Sequence, residues 1–269
     1  MLVVGGSVGM AGAPALTASA ALKSGAGLVE AIVPEPVVAI SAGFDPCVMT
    51  RGLPATGEGT FAAGAVTAII QAVGRASAVA IGPGLGRSGE VAALVATLWR
   101  EAALPAVFDA DALWAVSLLD PAARRVHAGP RLVTPHAGEM LRLAGRDPSG
   151  PQATDRDELC RLARGFAAEA ETVVVLKGAG TLVAGARHEA VNETGNPGMA
   201  TAGTGDVLTG VVAALLAQGM EPFAAARLAV WVHGVAGDAA AADLGQISLT
   251  ARDLLERLHV GFRAAIVLP

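Results

Sequence analysis

Residues 195–210 read GNPGMATAGTGDVLTG, a glycine-rich loop that runs directly into an apolar stretch. Such a loop before a helix lets successive backbone N–H groups point into one concavity, and the helix N-terminus adds about half a positive charge there. Asp206 lies where this helix begins. Aspartate at a helix start is often only an N-cap, but an N-cap does not need four glycines before it. We therefore predict an anion-binding loop with Asp206 as a general base that removes a proton from a hydroxyl.

Outward from this segment, short apolar runs alternate with alanine-rich helical stretches along the chain. Strand–turn–helix alternation predicts an α/β fold with a parallel sheet covered on both faces. Ligands of such sheets bind beyond the carboxyl ends of the strands. The chemically suggestive residues follow predicted strands or the glycine loop: Gly82, Asp109, His136, Lys177 and Asp206. We expect one active site, in a single domain over residues 1–269.

Residue spacing also predicts individual elements. A helix is predicted over 60–73, because its apolar residues have helical spacing. A short hairpin is predicted from 181–184 and 188–191 around Gly185. The alanine-rich stretch 222–243 is predicted to form one long helix or two.

Composition narrows the functional classes. Of the 269 residues, 53% are hydrophobic and 16% are charged, which fits a sheet buried on both faces and not a disordered chain. The formal net charge is −5 and no basic stripe is present, so nucleic acid is not an expected partner. No uncharged, unbroken apolar run reaches about 18 residues, so no membrane-spanning helix is expected.

The predicted location is the cytoplasm. Residues 1–22 are uncharged, but they lack a basic n-region and are interrupted by glycines, so they do not read as a secretory signal. Cys47 and Cys160 lie far apart and form no metal-binding spacing, which is typical of reduced thiols.

Lysine usage singles out one position. Of 19 basic residues only Lys23 and Lys177 are lysines. Lysine is a compact point charge where arginine is a planar fork. Lys177 opens the segment KGAGT (177–181), whose glycines permit close backbone approach to a ligand, so we favour a phosphate-binding lysine. The alternative is a hairpin turn with a solvated lysine.

Two other glycine segments are weaker signals. GPGLG (82–86) follows a strand, and a tight strand-to-helix turn explains it almost as well. GGSVGM (5–10) superficially resembles a dinucleotide fingerprint with Glu30 on the next strand, but its glycine spacing is wrong. No Walker A sequence occurs, which excludes a P-loop kinase.

Acidic and histidine residues supply further candidates. His136 follows a strand and a proline, which favours a functional role, and Glu139 suits a helix N-terminus. Asp109 and Asp111 are either helix caps or residues that hold Mg²⁺ through water, as Glu139 also could. His233 and Asp238 lie on an apolar helix and are interpreted as core residues or supports of the site.

Together these segments resemble the NAD(P)H-hydrate dehydratase family, in the family's order. The resemblance rests on residues 195–210 and on VLKGAGT (175–181), TPHAGEM (134–140), GPGLG (82–86), DADAL (109–113) and HGVAGD (233–238). The opening GGSVGMAGAPALTASAALKSGAGLV (5–29) is similar too. The resemblance spans nearly the whole chain, and related kinases share only the Gly-x-Gly-Asp region well.

The resemblance implies a ribokinase-like three-layer α/β/α sandwich with a mainly parallel central sheet. It implies ADP, or ATP, as phosphoryl donor, with Mg²⁺. The implied substrate is the S epimer of NADH or NADPH hydrated at C6 of the nicotinamide ring (NADHX, NADPHX). The C6 hydroxyl is phosphorylated and phosphate then leaves, which restores the ring double bond. A homotetramer is expected by analogy.

The resemblance also assigns residues. It implies that Asp206 is the base and that Gly203, Thr204 and Gly205 form the anion hole. The implied nucleotide-binding residues are Lys177, Gly178, Ala179, Gly180, Thr181 and Gly205. The implied hydrate pocket contains Ala13, Gly84, His136 and Asp206.

Two departures and two rivals remain. The chain starts directly on its first strand, and the epimerase domain of some relatives is absent. We therefore expect dehydratase activity alone, with NAD(P)H-hydrate epimerase as a separate partner. One rival is a small-molecule kinase of the same fold, such as a hydroxyethylthiazole kinase. The other is a non-enzymatic adenine-nucleotide sensor, which would not need Asp206.

Overall fold

A mainly parallel sheet organises the chain. The computed structural model describes residues 1–150 and 154–266, and in these residues nine strands pair in the order β3-β2-β1-β4-β5-β6-β7-β8-β9. The pairs from β3 through β7 are parallel, and β8 and β9 add antiparallel strands at one edge. The strands are β1 Leu2–Val4, β2 Glu30–Pro34, β3 Met49–Leu53, β4 Val79–Ile81, β5 Ala106–Phe108, β6 Arg131–Val133, β7 Val173–Leu176, β8 Thr181–Ala184 and β9 Glu189–Asn192.

Helices cover both faces of this sheet. The α-helices are α1 Gly12–Lys23, α2 Val38–Ala42, α3 Val66–Val73, α4 Gly89–Glu101, α5 Asp111–Ser117, α6 Pro121–Arg124, α7 Ala137–Leu143, α8 Arg156–Glu169, α9 Thr204–Ala217, α10 Pro222–Leu244 and α11 Ala251–Ile266. Because side chains of a strand alternate between faces, Val4 packs into a core with α3, α4, α5, α7 and α8, whereas Val3 packs into a second core with α1, α9, α10 and α11. The predicted three-layer α/β/α sandwich is therefore confirmed.

The strand register aligns the predicted site positions. Val4 pairs with Ile81, Ile81 with Phe108, and Phe108 with Val133. The residues that follow these strands consequently leave the sheet side by side. The expectation that they meet at one carboxyl edge is confirmed.

One predicted element needs correction, and one strand was missed. The predicted helix over 60–73 begins later, as a 3-10 turn at Ala63–Ala65 followed by α3. Its first residues instead belong to a turn in which Phe61 pairs with Ala55, and the Phe61 side chain is buried in the core. Strand β3 was not predicted, because this half-exposed edge strand carries neither an apolar run nor a clear alternation.

The remaining element predictions agree with the structure. β8 and β9 form the predicted hairpin around Gly185, which donates its N–H to the His188 carbonyl. The stretch after Glu221 forms one continuous helix, α10.

Candidate active site

The anion-binding loop ends at a helix start that only glycine allows. Gly203 is the N-cap of α9 and has φ +91°, in the left-handed region. A Cβ there would lie 2.8 Å from Leu16 Cδ1 and 2.9 Å from Ala251 Cβ. Both the backbone conformation and the packing therefore exclude a side chain. The first N–H groups of α9 are left free to face the carboxyl edge of the sheet, where the helix dipole favours an anion.

Lys177 lies beside this helix start. Its Nζ is 2.8 Å from Asp109 Oδ1 and 3.8 Å from Glu139 Oε2, and its side chain is only 20% exposed. A Cβ added to Gly205 would lie 3.3 Å from the same Nζ. The strand ends of β5 and β7 therefore bring an ammonium group to the first turn of α9. The alternative was a hairpin turn with a solvated lysine. The lysine is not solvated, because its side chain is mostly buried in this cluster of charges, but the segment does form the turn between the antiparallel strands β7 and β8.

Asp109 anchors that lysine. Its carboxylate is buried, and Thr209 Oγ1 donates to its second oxygen at 2.7 Å. Burial raises the pKa of Asp109, but the Lys177 charge and the hydrogen bonds from Lys177 and Thr209 outweigh burial and hold the pKa below its usual value. Asp109 is consequently ionised and committed to Lys177.

The other two carboxyls respond differently. Burial raises the pKa of Asp206 to about 7, and the charges of Asp109 and Glu139 add to this rise against the pull of Lys177. Burial likewise raises the pKa of Glu139 to about 7. We call Asp109, Glu139, Lys177 and Asp206 the acid–lysine cluster. It holds one permanently ionised pair and two carboxyls that titrate near neutral pH, which is the range a general base requires.

Asp206 is tied to the opposite wall through α1. Thr17 is fully buried, and its Oγ1 lies 3.0 Å from the Asp206 carbonyl oxygen and 3.1 Å from the Ala13 carbonyl oxygen. A Cβ on Gly84 would lie 3.2 Å from the Ala13 Cβ. Three of the residues assigned to a hydrate pocket, Ala13, Gly84 and Asp206, thus belong to neighbouring walls at this edge.

His136 is the N-cap of α7. Its Nδ1 accepts from the N–H groups of Gly138 and Glu139, at 3.1 and 3.4 Å, and Glu139 Oε2 accepts from the His136 N–H at 2.8 Å. The imidazole is 60% exposed, and its Nε2 lies 3.3 Å from Glu139 Oε1. Because Nδ1 accepts, Nε2 carries the ring proton and lies against Glu139, and the exposed part of the ring is open to a ligand. A role for His136 in substrate binding stays a prediction.

Asp111 does not cap the helix as predicted, and its role in holding Mg²⁺ through water stays a prediction. It accepts hydrogen bonds from Gly86 N at 3.0 Å and from Arg87 Nε at 2.9 Å, so it fastens the GPGLG loop. The N-cap of the following helix is Ala110, at φ 50°, and neither aspartate caps it. Glu30 is also excluded from a dinucleotide site, since it opens β2 at the opposite end and pairs with Arg51.

The KGAGT loop is anchored to α8 through Arg156, the first residue of that helix. Arg156 donates to the carbonyl oxygens of Leu176, Lys177 and Gly180, the last at 2.6 Å. Thr181 Oγ1 donates to the Gly178 carbonyl at 2.9 Å, which closes the turn. The loop is therefore fixed before any ligand binds. Whether it contacts nucleotide, as the resemblance implies for Lys177 to Thr181, stays a prediction.

Sequence reasoning missed three residues that build this edge: Thr17, Arg156 and Thr209. Thr209 could have been found, because it lies one helical turn after Asp206 on the same helix. Thr17 and Arg156 gave no local signal, since their partners are distant in the chain. His233 and Asp238 are confirmed as a buried residue and a support: His233 Nε2 lies 2.9 Å from the Thr204 carbonyl oxygen, and Asp238 accepts from Gly195 N and Asn196 Nδ2.

Direct metal ligation finds no support in the part of the chain that the structure describes. Within residues 1–150 and 154–266, no group of three or more His, Cys, Asp or Glu side chains could hold a metal ion. Both oxygens of Asp109 are engaged by Lys177 and Thr209. A cation at this edge would have to be held through water, which suits Mg²⁺.

The fold and this edge define the class. The chain is a ribokinase-like α/β protein with a glycine-rich loop and a helix start beside Asp206, a carboxyl whose pKa is raised to about 7. It belongs to the NAD(P)H-hydrate dehydratase family, whose profile matches residues 1–259.

Individual relatives agree with this family. A bifunctional NAD(P)H-hydrate repair enzyme of Moorella thermoacetica is 44% identical over 259 residues, which cover 96% of this chain and 48% of the relative. An ADP-dependent (S)-NAD(P)H-hydrate dehydratase of Xanthomonas campestris is 35% identical over 255 residues, covering 94% of this chain and 84% of the relative. The chain spans about half the length of the bifunctional relatives it matches.

A solved structure supports the same fold. The ADP/ATP-dependent NAD(P)H-hydrate dehydratase of Bacillus subtilis, co-crystallised with ATP and Mg²⁺, superposes with a TM-score of 0.78. It is 28% identical, and the match covers 98% of this chain and 88% of that one. None of the described helices combines the length and hydropathy that a membrane-spanning segment needs.

Proposed function

We propose that this chain catalyses the nucleotide-dependent dehydration of the S epimer of NADH hydrate and NADPH hydrate, with ADP, or ATP, as phosphoryl donor. The observation that carries the proposal is the position of Asp206. Its carboxyl has a pKa of about 7 and stands in the first turn of α9, next to Gly205 and the Lys177 ammonium. A base beside an anion hole is what phosphoryl transfer to a hydroxyl requires.

In the proposed reaction Asp206 accepts the proton of the C6 hydroxyl as its oxygen attacks the terminal phosphorus of the nucleotide. The bond from that phosphorus to the nucleotide oxygen breaks, and the shortened nucleotide leaves. The C6–O bond of the phosphorylated hydrate then breaks, phosphate departs, and the neighbouring ring carbon loses a proton to water. The ring double bond is thereby restored.

The anion hole is assigned to Gly203, Thr204 and Gly205. Their backbone N–H groups lie at the start of α9, where the helix dipole favours the charge that develops on phosphate oxygens. Lys177 adds an ammonium group fixed by Asp109, so little reorganisation is needed during transfer. Mg²⁺, when bound with the nucleotide, supplies further positive charge, and Asp109 and Glu139 would hold it only through water.

The remaining assignments follow from the resemblance. We assign nucleotide contacts to residues 177–181 and Gly205, and the hydrate pocket to Ala13, Gly84, His136 and Asp206. The exposed imidazole of His136 and the proximity of Ala13 to Gly84 support the pocket.

We also propose the wider setting. A single domain over residues 1–269, a homotetramer and a cytoplasmic location are retained as proposals. NAD(P)H-hydrate epimerase is proposed as a separate partner, because the dehydratase would use only the S epimer. The naming of the longer relatives as bifunctional repair enzymes supports a functional link between two activities.

Absorbance at 340 nm tests the proposed reaction, because the reduced nicotinamide absorbs there and its hydrate does not. Purified protein is mixed with NADH hydrate and Mg²⁺, and ADP or ATP is added in turn. A nucleotide-dependent rise is expected, and Asp206→Asn should lower the rate by about 10²–10⁴-fold with nucleotide binding retained.

Each other outcome has a defined meaning. A stable phosphorylated product without a rise at 340 nm would identify a kinase of this fold. A near-normal rate in Asp206→Asn would overturn the base assignment. Nucleotide binding with no turnover of any kind would point to a sensor.

A further inference from the structure

A contact between α10 and the first turn of α9 fixes the direction of one peptide group, the one that joins Thr204 to Gly205. His233 is 9% exposed, and its Nε2 lies 2.9 Å from the carbonyl oxygen of Thr204. Because that carbonyl can only accept, the imidazole nitrogen is the donor and Nε2 carries the proton. The carbonyl belongs to the same planar peptide as the Gly205 N–H. Fixing the oxygen therefore fixes the direction in which that N–H points.

The Gly205 N–H belongs to the open start of α9, and Gly205 itself lies beside the acid–lysine cluster. A trans peptide directs its N–H opposite to its C=O, so the Thr204 carbonyl runs into the helix while the Gly205 N–H faces its open end. A Cβ added to Gly205 would lie 3.3 Å from Lys177 Nζ, so this residue is in close contact with the ammonium group. The same turn is held on its other side by Thr204 Oγ1, which lies 2.8 Å from the Met199 carbonyl oxygen.

The protonation state of His233 suits a hydrogen-bond donor that does not change with pH. Burial lowers the pKa of His233 to about 4, and Lys177 contributes in the same direction, so the imidazole is neutral throughout the physiological range. Its surroundings on α10 are small: a Cβ on Gly234 would lie 2.0 Å from Thr194 Oγ1, and one on Gly237 would lie 2.3 Å from Met199 Sδ. The helix therefore approaches the loop closely enough to hold it.

We infer that His233 is a positioning residue of the anion hole: its neutral imidazole, through the Thr204 carbonyl, aims the Gly205 N–H at the terminal phosphate of the nucleotide. This inference rests on the proposed function for the identity of the anion. It predicts a specific defect on loss of the donor, in which recognition of the terminal phosphate is lost and binding of the rest of the nucleotide is not.

The test compares ADP with AMP by isothermal titration calorimetry. AMP lacks the terminal phosphate, so the ratio of the two dissociation constants reports the anion hole alone. The variants are His233→Leu, which removes the donor, and His233→Gln, whose amide N–H can replace Nε2–H. His127→Leu is the matched control, since His127 also bridges two backbone carbonyls, those of Gly129 and Ala170, far from this edge.

Wild-type protein is expected to bind ADP more tightly than AMP. His233→Leu should narrow that preference by about tenfold, His233→Gln should recover most of it, and His127→Leu should leave it unchanged. If His233→Leu does not fold, His233→Met, which has no donor but a flexible side chain, takes its place. An equal loss of affinity for both nucleotides, an unchanged ratio, or no ADP preference in wild type would overturn the inference.

The two proposals fail separately. Absence of a 340 nm signal in wild type would remove the dehydratase assignment while the ADP-to-AMP ratio still tests His233. A normal wild-type rate with an unchanged ratio in His233→Leu would remove only the positioning role.

Discussion

At the scale of single residues, the chemistry depends on the different pKa values of three acids in the acid–lysine cluster, Asp109, Glu139 and Asp206. Asp109 is more buried than Asp206, yet it is the acid with the lowered pKa, because Lys177 and Thr209 stabilise its charge directly. Asp206 lies in the field of the same lysine but forms no ion pair with it, so burial dominates and brings the pKa of Asp206 to about 7. One fixed charge and one titrating base thus arise a few ångströms apart from different solvation.

The pH dependence of turnover follows from Asp206. A base must be ionised to accept a proton, and an acid with a pKa raised to about 7 is protonated below that value. We therefore expect kcat/KM for NADH hydrate to rise about tenfold per pH unit below pH 7 and to level off above it. The measurement is the 340 nm rate between pH 5 and about 9 at saturating ADP and Mg²⁺.

Asp206→Asn serves as the control for this profile. Its residual rate should lose the rise through pH 7, because the base is gone and Glu139, which also has a pKa of about 7, accepts no proton in the proposed reaction. A wild-type rate independent of pH from about 5 to 7 would contradict the assignment of Asp206 as the base.

The Lys177–Asp109 pair makes a second prediction at this scale. Lys177→Met leaves the buried Asp109 charge with only Thr209 as partner, and breaking a buried pair costs about 3 kcal/mol or more. Lys177→Met combined with Asp109→Asn removes both charges and should recover much of the stability. Thermal melting of the two variants and wild type measures this.

Activity separates the two roles of the pair. The double variant should remain inactive, because the ammonium beside Gly205 is absent even when the fold is restored. A double variant that regains a near-normal rate would show that Lys177 is needed only for stability.

At the scale of elements, α10 supports the glycine-rich loop at two points. His233 contacts the start of α9, and Asp238, one and a half turns further on, accepts from Gly195 N and from Asn196 Nδ2, each at 2.9 Å. Asn196 in turn accepts from Gly198 N at 3.0 Å. The loop is therefore bonded to a rigid helix at its beginning and at its end, which pre-orders its backbone donors.

Replacing Asp238 should loosen the loop and not the fold. Asp238 is exposed, so Asp238→Ala removes two hydrogen bonds without leaving a cavity. We expect a fall in kcat of about tenfold with a melting temperature within about 2 °C of wild type. Asp243→Ala, a surface change later on the same helix that removes an ion pair with Arg257, is the matched control and should retain full activity. Equal activity in both variants would contradict the role of Asp238.

The sequence predicted elements and strand ends better than partners. The alternation of apolar runs with helices determined the layers, and the residue after each buried strand could be assigned to one edge, because parallel strands share a direction. Asp109 and Lys177 were each singled out, yet their pairing was not, since 68 residues separate them and no periodicity links β5 to β7. Arg156 was missed for the same reason. β3 was missed because edge strands lack the two-sided burial that makes β4 and β5 recognisable.

At the scale of the whole molecule, the start of α9 is where distant parts of the chain converge. Thr17 of α1 contacts it through the Asp206 carbonyl, and Asp109, which follows β5, contacts it through Thr209. His233 of α10 contacts it through Thr204, and α11 approaches it where Ala251 lies close to Gly203. These partners come from both ends of the sequence, from three helices of the second core and from the carboxyl end of a central strand. A ligand bound here is therefore coupled to global unfolding and not only to a local loop.

Nucleotide binding should consequently stabilise the entire fold. A ligand at 100 times its dissociation constant adds about 2.7 kcal/mol to the free energy of unfolding, which corresponds to a rise in melting temperature of about 5–10 °C for a chain of this size. We expect ADP with Mg²⁺ to produce this rise in a single cooperative transition, and adenosine at equal concentration to produce little of it, because adenosine brings no phosphate to the helix start. Differential scanning calorimetry measures both. An equal rise with adenosine would mean that the stabilising contacts are made to the base and ribose, and the anion hole at Gly203 to Gly205 would then not be the site that links ligand to fold.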